Sequence, residues 1–574
     1  MKKITGIGVS AGIACGPIYR YENQPVVIDP LRGFRHKTAA DPQAELARLE
    51  ASLATAKTEL EAVLEAAMQR VGAKEAEIFS AHALMLEDPE LLDQVAAAIQ
   101  EKHLSAEEAW FEGTEHYANL LAGMGDEYLS ARSADVRDVA QRVLRILTGR
   151  KQKSTQLEHP AVVVAEDLTP SDTVTFDPAK VLAFCTAKGG PTSHVAILSK
   201  ALGIPAITGM GSWLAELQDG LVAIVDGSAG VMVLAPDEKT RAEYQSLSAS
   251  FQEKFAIALA SAHQPAITLD GRRVEVVANV AAVSGASRAL EFGAEGIGLL
   301  RTEFLFLDRE TEPTEEEQAE YYRAVLEVFG KNPVVIRTLD IGGDKPAPYL
   351  KMAAELNPFL GVRGTRLALV HPKVFQNQLR ALLRAGLGHN LKIMCPMVGS
   401  LQEVRAIHEH VNQARLALEE SGVEYAHDVE IGIMIEIPSA AVMADVLAPE
   451  VDFFSIGTND LSQYTLAADR TNPDVSPLAD ALNPAVLRLI SMVTRAAHAH
   501  GKWVGLCGEL AGDPLAAPVL LGIGIDEFSM NPRAVPLVKQ ALRRFSTDQA
   551  RQIAEKVLQL PTVADVRRYL ENFA

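Results

Sequence analysis

The chain has 574 residues, of which 48% are hydrophobic and 22% charged, and its formal net charge is −20. That length allows two to four domains with sizeable cores. The acidity argues against nucleic-acid binding or docking on an anionic membrane, both of which need basic patches. The four cysteines, Cys15, Cys185, Cys395 and Cys507, are scattered and form no C-x-x-C pair. Neither a disulfide framework nor a thiolate zinc site is expected, and a cytoplasmic location fits.

Glycines and Pro17 interrupt the first twenty residues, which read as strand and turn rather than as a signal peptide. From Asp41-Pro42 the pattern turns helical: Leu46, Leu49, Leu53, Leu60 and Leu64 recur at the spacing of one helix face. Further helical stretches cover Glu77 to Leu86 and Ala134 to Leu147. From about 158 the period changes. Ala161–Ala165, Val181–Phe184 and Leu221–Val225 are short, β-branched-rich apolar runs that read as buried strands. Residues 237–264 are polar and helix-prone, and read as a helix linking two halves. No apolar stretch reaches membrane-spanning length.

In the second half, eight short apolar runs alternate with helical stretches: Val274–Ala278, Gly296–Leu300, Val334–Ile336, Leu360–Val362, Lys392–Met394, Ile431–Ile435, Phe453–Ile456 and Trp503–Leu506. Eight βα units in this length predict a (β/α)8 barrel, with a doubly wound sheet as the alternative. The expected chain is thus α/β and multidomain.

Two groups of residues suggest chemistry. Gly189-Gly190-Pro191-Thr192-Ser193-His194 runs into the apolar Val195–Leu198. A glycine-rich loop entering a helix offers free N–H groups to a phosphate, and an imidazole at that point can act as a nucleophile. In the barrel half, polar residues stand after the strands, where such barrels place their chemistry. They include Arg301, Arg337, Asp340, Arg363, Glu436, Asn459, Asp460, Arg470 and Cys507. Arginine forks suit phosphate and carboxylate, while Glu436 and Asp460 are hard oxygen donors suited to Mg²⁺. A small, phosphorylated, anionic substrate is expected.

In order, the motifs Gly189–His194, Arg301-Thr302-Glu303-Phe304-Leu305, Asp340–Lys345, Asp452–Leu461 and Cys507-Gly508-Glu509-Leu510 resemble enzyme I of the bacterial phosphoenolpyruvate-dependent phosphotransferase system. The resemblance extends along essentially the whole chain. It implies a phosphohistidine α/β domain at residues 1–23 and 149–236, able to swivel, and an inserted helical domain at 24–148 that binds the carrier protein. It further implies the linker helix at 237–264, and a phosphoenolpyruvate-binding and dimerising barrel at 265–574. His194 would take the phosphoryl group on Nε2, with release of pyruvate, and pass it to a histidine of a small phosphocarrier protein. Arg301, Arg337 and Arg470 would grip the substrate, with Lys345 and Asn459 assisting. Glu436 and Asp460 would hold Mg²⁺, and Cys507 would protonate the enolate carbon. Glu75, Glu77, Glu87 and Asp88 could steer a basic carrier.

Three rivals share parts of this pattern. A pyruvate phosphate dikinase or phosphoenolpyruvate synthase needs an ATP-binding domain, for which the helical first 150 residues show no phosphate loop. An inactive scaffold would not be expected to keep Arg301, Arg337, Glu436, Asp460 and Cys507. The nitrogen-regulatory form carries a further amino-terminal domain and is not expected here.

Overall fold

The computed structural model describes residues 2–21, 41–70, 82, 83, 85–123, 127–150, 155–190, 193–211, 217–307, 309, 311–342, 349, 350, 352, 355–470, 472 and 475–573. The chain forms two compact units, Met1–Gln252 and Glu253–Ala574.

The first unit is built on an eight-stranded sheet in the order β1-β8-β7-β3-β4-β5-β6-β2. Its strands are β1 (Lys2–Thr5), β2 (Ile7–Ser10), β3 (Ile13–Arg20), β4 (Ala161–Ala165), β5 (Val181–Thr186), β6 (Ala206–Thr208), β7 (Val222–Asp226) and β8 (Val231–Leu234). The central β3-β4-β5-β6 pairings are parallel and the outer ones antiparallel. All five residues of β4 are buried. Val162 and Val164 join the core on one face, and Ala161, Val163 and Ala165 the core on the other. Burial on both faces explains why β4 reads as an unbroken apolar run rather than an alternating one.

The chain leaves the sheet after β3 and returns to the neighbouring strand β4. Between them lie α1 (Pro42–Arg70), α2 (Pro89–Lys102), α3 (Ala106–Gly123) and α4 (Glu127–Thr148). These helices carry their own core around Leu49, Leu60, Val95, Ile99, Trp110 and Val143. Ser171, on α5 (Pro170–Thr175), donates to Asp138 of α4 at 3.2 Å and ties the helices to the sheet. Asp88 is the N-cap of α2, accepting from Leu91 N at 2.9 Å, and Glu87 is ion-paired with Lys57. Glu75 and Glu77 lie outside the described residues. After α6 (His194–Leu202) and strands β6, β7 and β8 comes α7 (Glu238–Ala260), and the boundary between the units falls within it.

The second unit is a closed parallel barrel, with the short β9 (Ala266–Ile267) pairing antiparallel to its first strand. The barrel strands are β10 (Arg273–Val280), β11 (Ile297–Leu300), β12 (Pro333–Arg337), β13 (Asn390–Cys395), β14 (Glu430–Ile435), β15 (Phe453–Ile456), β16 (Trp503–Leu506) and β17 (Glu527–Met530). The expected (β/α)8 fold is present, with one exchange of strands. Leu360–Val362 is not a strand: Pro358–Leu360 forms a 3₁₀ turn, and Leu360 is exposed. The Glu355 carboxylate receives Val362 N at 3.0 Å there. The eighth strand is β17 instead. Its Glu-Phe-Ser-Met sequence hides it, because Phe528 and Met530 join the outer core while the polar Glu527 and Ser529 alternate with them.

Inside the barrel, Leu299, Val335, Met394, Met434, Phe453 and Cys507 pack together, and Trp503 stacks on Phe453 at 4.4 Å. The unit's first residues are anchored by Lys539, whose buried ammonium donates to the carbonyls of Ala262 at 3.0 Å and Gly293 at 2.8 Å and pairs with Glu295 at 2.8 Å. Among the described residues no helix is long and apolar enough to cross a membrane.

Candidate active site at the mouth of the barrel

Arg337 ends β12, and the loop beyond it is held from outside by Gln378 of the helix Pro372–Ala385. Gln378 accepts from Leu339 N at 2.9 Å and donates to Thr302 Oγ1 at 3.3 Å, and Thr302 donates to the Arg337 carbonyl at 2.9 Å. The exit loops of β11 and β12 are therefore pinned to each other. From there a chain of charges crosses the mouth. Arg337 pairs with Glu303 and, at 2.9 Å, with Asp340. Arg363 binds Asp340 through Nε at 2.9 Å and Nη2 at 3.0 Å, and reaches both oxygens of Asp460 at 3.4 Å. Arg470 closes the chain, 3.5 Å from Asp460.

The electrostatics follow from this alternation. Burial alone would lower the Arg337 pKa, but Glu303, Asp340 and Glu436 outweigh it and raise it. Arg301 is open to solvent, yet protein surrounds it. That enclosure first, and then Arg337 and Arg470, lowers its pKa. Burial would raise Asp460, but Arg470 and Arg363 hold it below the usual carboxylate range. Glu436, just past β14, also feels Arg363 and Arg337, but they do not outweigh its surroundings. Burial, followed by Asp460 and Asp340, pushes it up to about 8. Its Oε1 accepts from Met397 N at 2.6 Å, and Met397 takes a φ of 57°, a left-handed backbone that bulky residues adopt only when their surroundings fix it.

Cys507 follows β16 and is 4% exposed. Its thiol lies 3.7 Å from the Ile456 carbonyl, and burial pushes it up to about 11. The thiol therefore stays protonated at neutral pH. Next to it, a Cβ on Gly508 would fall 1.9 Å from Thr458 Oγ1, so only glycine lets the chain pass the helix Thr458–Leu466. Asn459 in that helix accepts from Glu509 N at 3.0 Å.

Arg301, Arg337, Glu436, Asn459, Asp460, Arg470 and Cys507 thus all lie on the barrel's C-terminal rim or just inside it. Lys345 lies outside the described residues. In the other unit, His194 is the first residue of α6, directly after the N-cap Ser193, which accepts from Ala196 N. The His194 side chain and residues 191 and 192 also lie outside the described part. Gly189 in the preceding loop has a φ of 94°, a backbone that excludes other residues without strain.

Family models for PEP-utilising enzymes match in three places: the N-terminal region at residues 5–132, the mobile domain at 157–230 and the PEP-binding domain at 257–547. The phosphoenolpyruvate-protein phosphotransferase of Geobacillus stearothermophilus is 46% identical over 572 residues, covering 100% of this chain and 98% of the relative. That of Bacillus subtilis strain 168 is 42% identical over 573 residues, covering 100% of both. The chain belongs to the phosphoenolpyruvate-protein phosphotransferase family. A multiphosphoryl transfer protein of Rhodobacter capsulatus is also 45% identical over 570 residues, and there the match covers 67% of the longer relative.

Within this family setting, the mouth contains residues to which the motif reading gave no role. Glu303 and Asp340 fall inside the quoted motifs, but nothing in their sequence context shows that they bracket Arg337. Arg363 was legible only as one more rim cation. Its contact with Asp460 spans 97 positions of sequence.

Proposed function

We propose that this chain moves the phosphoryl group of phosphoenolpyruvate onto His194, releasing pyruvate, and then onto a histidine of a small phosphocarrier protein. The observation that carries this reading is the connected chain of charges at the barrel mouth, with the buried Cys507 on the same rim, in a chain matching its family over its full length. In the first half-reaction the phosphorus–oxygen bond of the substrate breaks and a phosphorus–nitrogen bond forms at His194. The enolate left behind takes the Cys507 proton at carbon and becomes pyruvate. Arg301, Arg337 and Arg470 hold the phosphate and carboxylate and neutralise the charge on the transferring oxygens, with Asn459 and Lys345 assisting; alignment and neutralisation are the main work of phosphoryl transfer. In the second half-reaction the bond to His194 breaks as the carrier's histidine takes the phosphoryl group.

Glu436 and Asp460 would hold Mg²⁺, and the donor chemistry fits. Burial first, and then the negative charge of Asp460 and Asp340, raise Glu436, and a hard dication would relieve the second of these. Two carboxylates suffice for Mg²⁺, which takes one or two and completes its shell with water and substrate phosphate. When bound, the ion supplies charge neutralisation for the phosphate oxygens.

Residues 1–23 and 149–236 serve as the phosphohistidine domain, 24–148 as the carrier-docking domain and 265–574 as the substrate and homodimer domain. The same imidazole must meet two partners in turn, so a hinge within 237–264 carries it between them. The reaction is cytoplasmic in this reading.

The test is incubation with ³²P-labelled phosphoenolpyruvate and Mg²⁺ without ATP, beside His194→Ala. Acid-labile, base-stable label on the parent alone supports the reading. Label that requires ATP would move the chain to a dikinase or synthase chemistry, and no label under either condition would make it a scaffold.

A further inference from the structure

Asp340 lies between two groups to which the reading above gives work. Its Oδ2 is 2.9 Å from Arg337 Nη1, and Arg363 clasps both of its oxygens, at 2.9 and 3.0 Å. Arg363 then spans the gap to both oxygens of Asp460 at 3.4 Å. The Asp340 side chain is 3% exposed and that of Arg363 is 7% exposed, so neither is a loose surface ion pair whose geometry water could replace. A planar guanidinium between two carboxylates fixes the orientation of both. Arg337 is aimed in the same way, between Glu303 on one side and Asp340 on the other.

We infer that Asp340 is a positioning residue for the transfer, setting the phosphate-gripping Arg337 directly and the metal-holding Asp460 through Arg363. Substrate and metal thus share one support. A disturbance at Asp340 reaches both, although the residue itself is given no contact with either. The inference rests on the proposed function. It goes beyond it by naming a residue outside the substrate and metal contacts on which both depend.

The test is Asp340→Asn and Asp340→Glu in the full-length chain, reading the rate of labelling from ³²P-phosphoenolpyruvate across concentrations of substrate and of Mg²⁺, with the thermal unfolding midpoint measured in parallel. Asp340→Asn is expected to lose about 10–100-fold in kcat/KM, the usual cost of removing a support behind a metal ligand. It should also raise both KM and the Mg²⁺ needed for half-maximal rate. Asp340→Glu keeps the charge and should recover part of the Mg²⁺ response. Arg363→Lys keeps its charge but loses the fork, and should shift Mg²⁺ dependence in the same direction. Combined with Asp340→Asn it should be no slower than the slower single variant, because residues acting as one unit are not additive. Parent-like kinetics in Asp340→Asn would overturn the inference. So would a rate loss proportional to the unfolded fraction with KM and Mg²⁺ dependence unchanged, or an additive double variant. If Asp340→Asn does not fold, Arg363→Lys decides by the same Mg²⁺ criterion. A parent that takes no label overturns the proposed function itself; a parent that labels normally beside an indifferent Asp340→Asn overturns this inference alone.

Discussion

The side-chain amide of Asn279 donates to the Cys507 carbonyl at 2.9 Å, and Ser529 donates to the Asn279 side-chain oxygen at 2.5 Å. Strands β10, β16 and β17 are thereby joined at the level of the thiol. Cys507 is fixed through its backbone as well as by packing, which a proton donor to a carbon atom requires. Cys507→Ala is expected to slow pyruvate formation by about 10²–10⁴-fold, the usual contribution of a positioned acid, while phosphoenolpyruvate binding survives. Rapid-quench measurement of pyruvate, set against equilibrium binding, separates the two; equal turnover in the variant removes Cys507 from the mechanism.

Among the described arginines proposed to grip the substrate, Arg301 is exposed, whereas Arg337 is buried and Arg470 half-buried. Arg301→Ala is expected to cost about 2–4 kcal/mol of transition-state stabilisation, read as a loss in kcat/KM for phosphoenolpyruvate. Arg301→Lys should recover little, since an ammonium cannot supply the planar fork. Full recovery by lysine would show that only charge is used there.

Removal of metal by a chelator should stop labelling of His194, and added Mg²⁺ should restore it. In Glu436→Gln the Mg²⁺ concentration for half-maximal rate should rise at least about tenfold. A titration of labelling rate against free Mg²⁺ in parent and variant checks both statements.

Asp526 predicts an acid limit to barrel stability. It accepts from Val504 N at 2.9 Å and His498 Nε2 at 2.8 Å, and pairs with Arg272 at 3.0 Å. Burial would raise its pKa, but these partners outweigh burial and lower it. Because the folded value lies below the unfolded one, the group stabilises the fold above the unfolded carboxylate pKa of about 4, and this is lost as pH falls through the folded value. Asp526→Asn should cost about 1–3 kcal/mol at pH 7 and flatten the loss of stability below pH 4. Thermal melts of parent and variant between pH 2.5 and 7 test this; parallel curves would contradict it.

Much of this was legible in the sequence because it is carried by short local signals. The seven barrel strands rich in apolar residues, the start of α6 at His194 and the rim residues at the ends of β11, β12, β14, β15 and β16 are all of that kind. Strand β17 was not legible. Two of its four residues, Glu527 and Ser529, are polar although buried, which breaks the apolar run. Leu360–Val362 had the apolar composition but stands in a turn stabilised by Glu355, a contact no local pattern announces. Asp340 and Arg363 illustrate a third limit. Each could be seen as a charged rim residue, but their partnership with each other and with Asp460 exists only after the barrel has closed.

The insertion of helices α1 to α4, as seen among the described residues, between β3 and β4 has a consequence for synthesis. Ile18, Tyr19 and Arg20 pair with Val162, Val163 and Val164, so the edge of β3 emerges from the ribosome long before the strand that covers it. The intervening helices make mostly local contacts and have a core of their own, so they can condense while that edge waits. Local contacts form quickly and distant strand pairing slowly. Folding of the first unit should therefore be paced by the arrival of β4, and a pause in translation just before residue 161 would leave a finished helical module tethered to an uncovered strand, the state most open to mispairing with another chain.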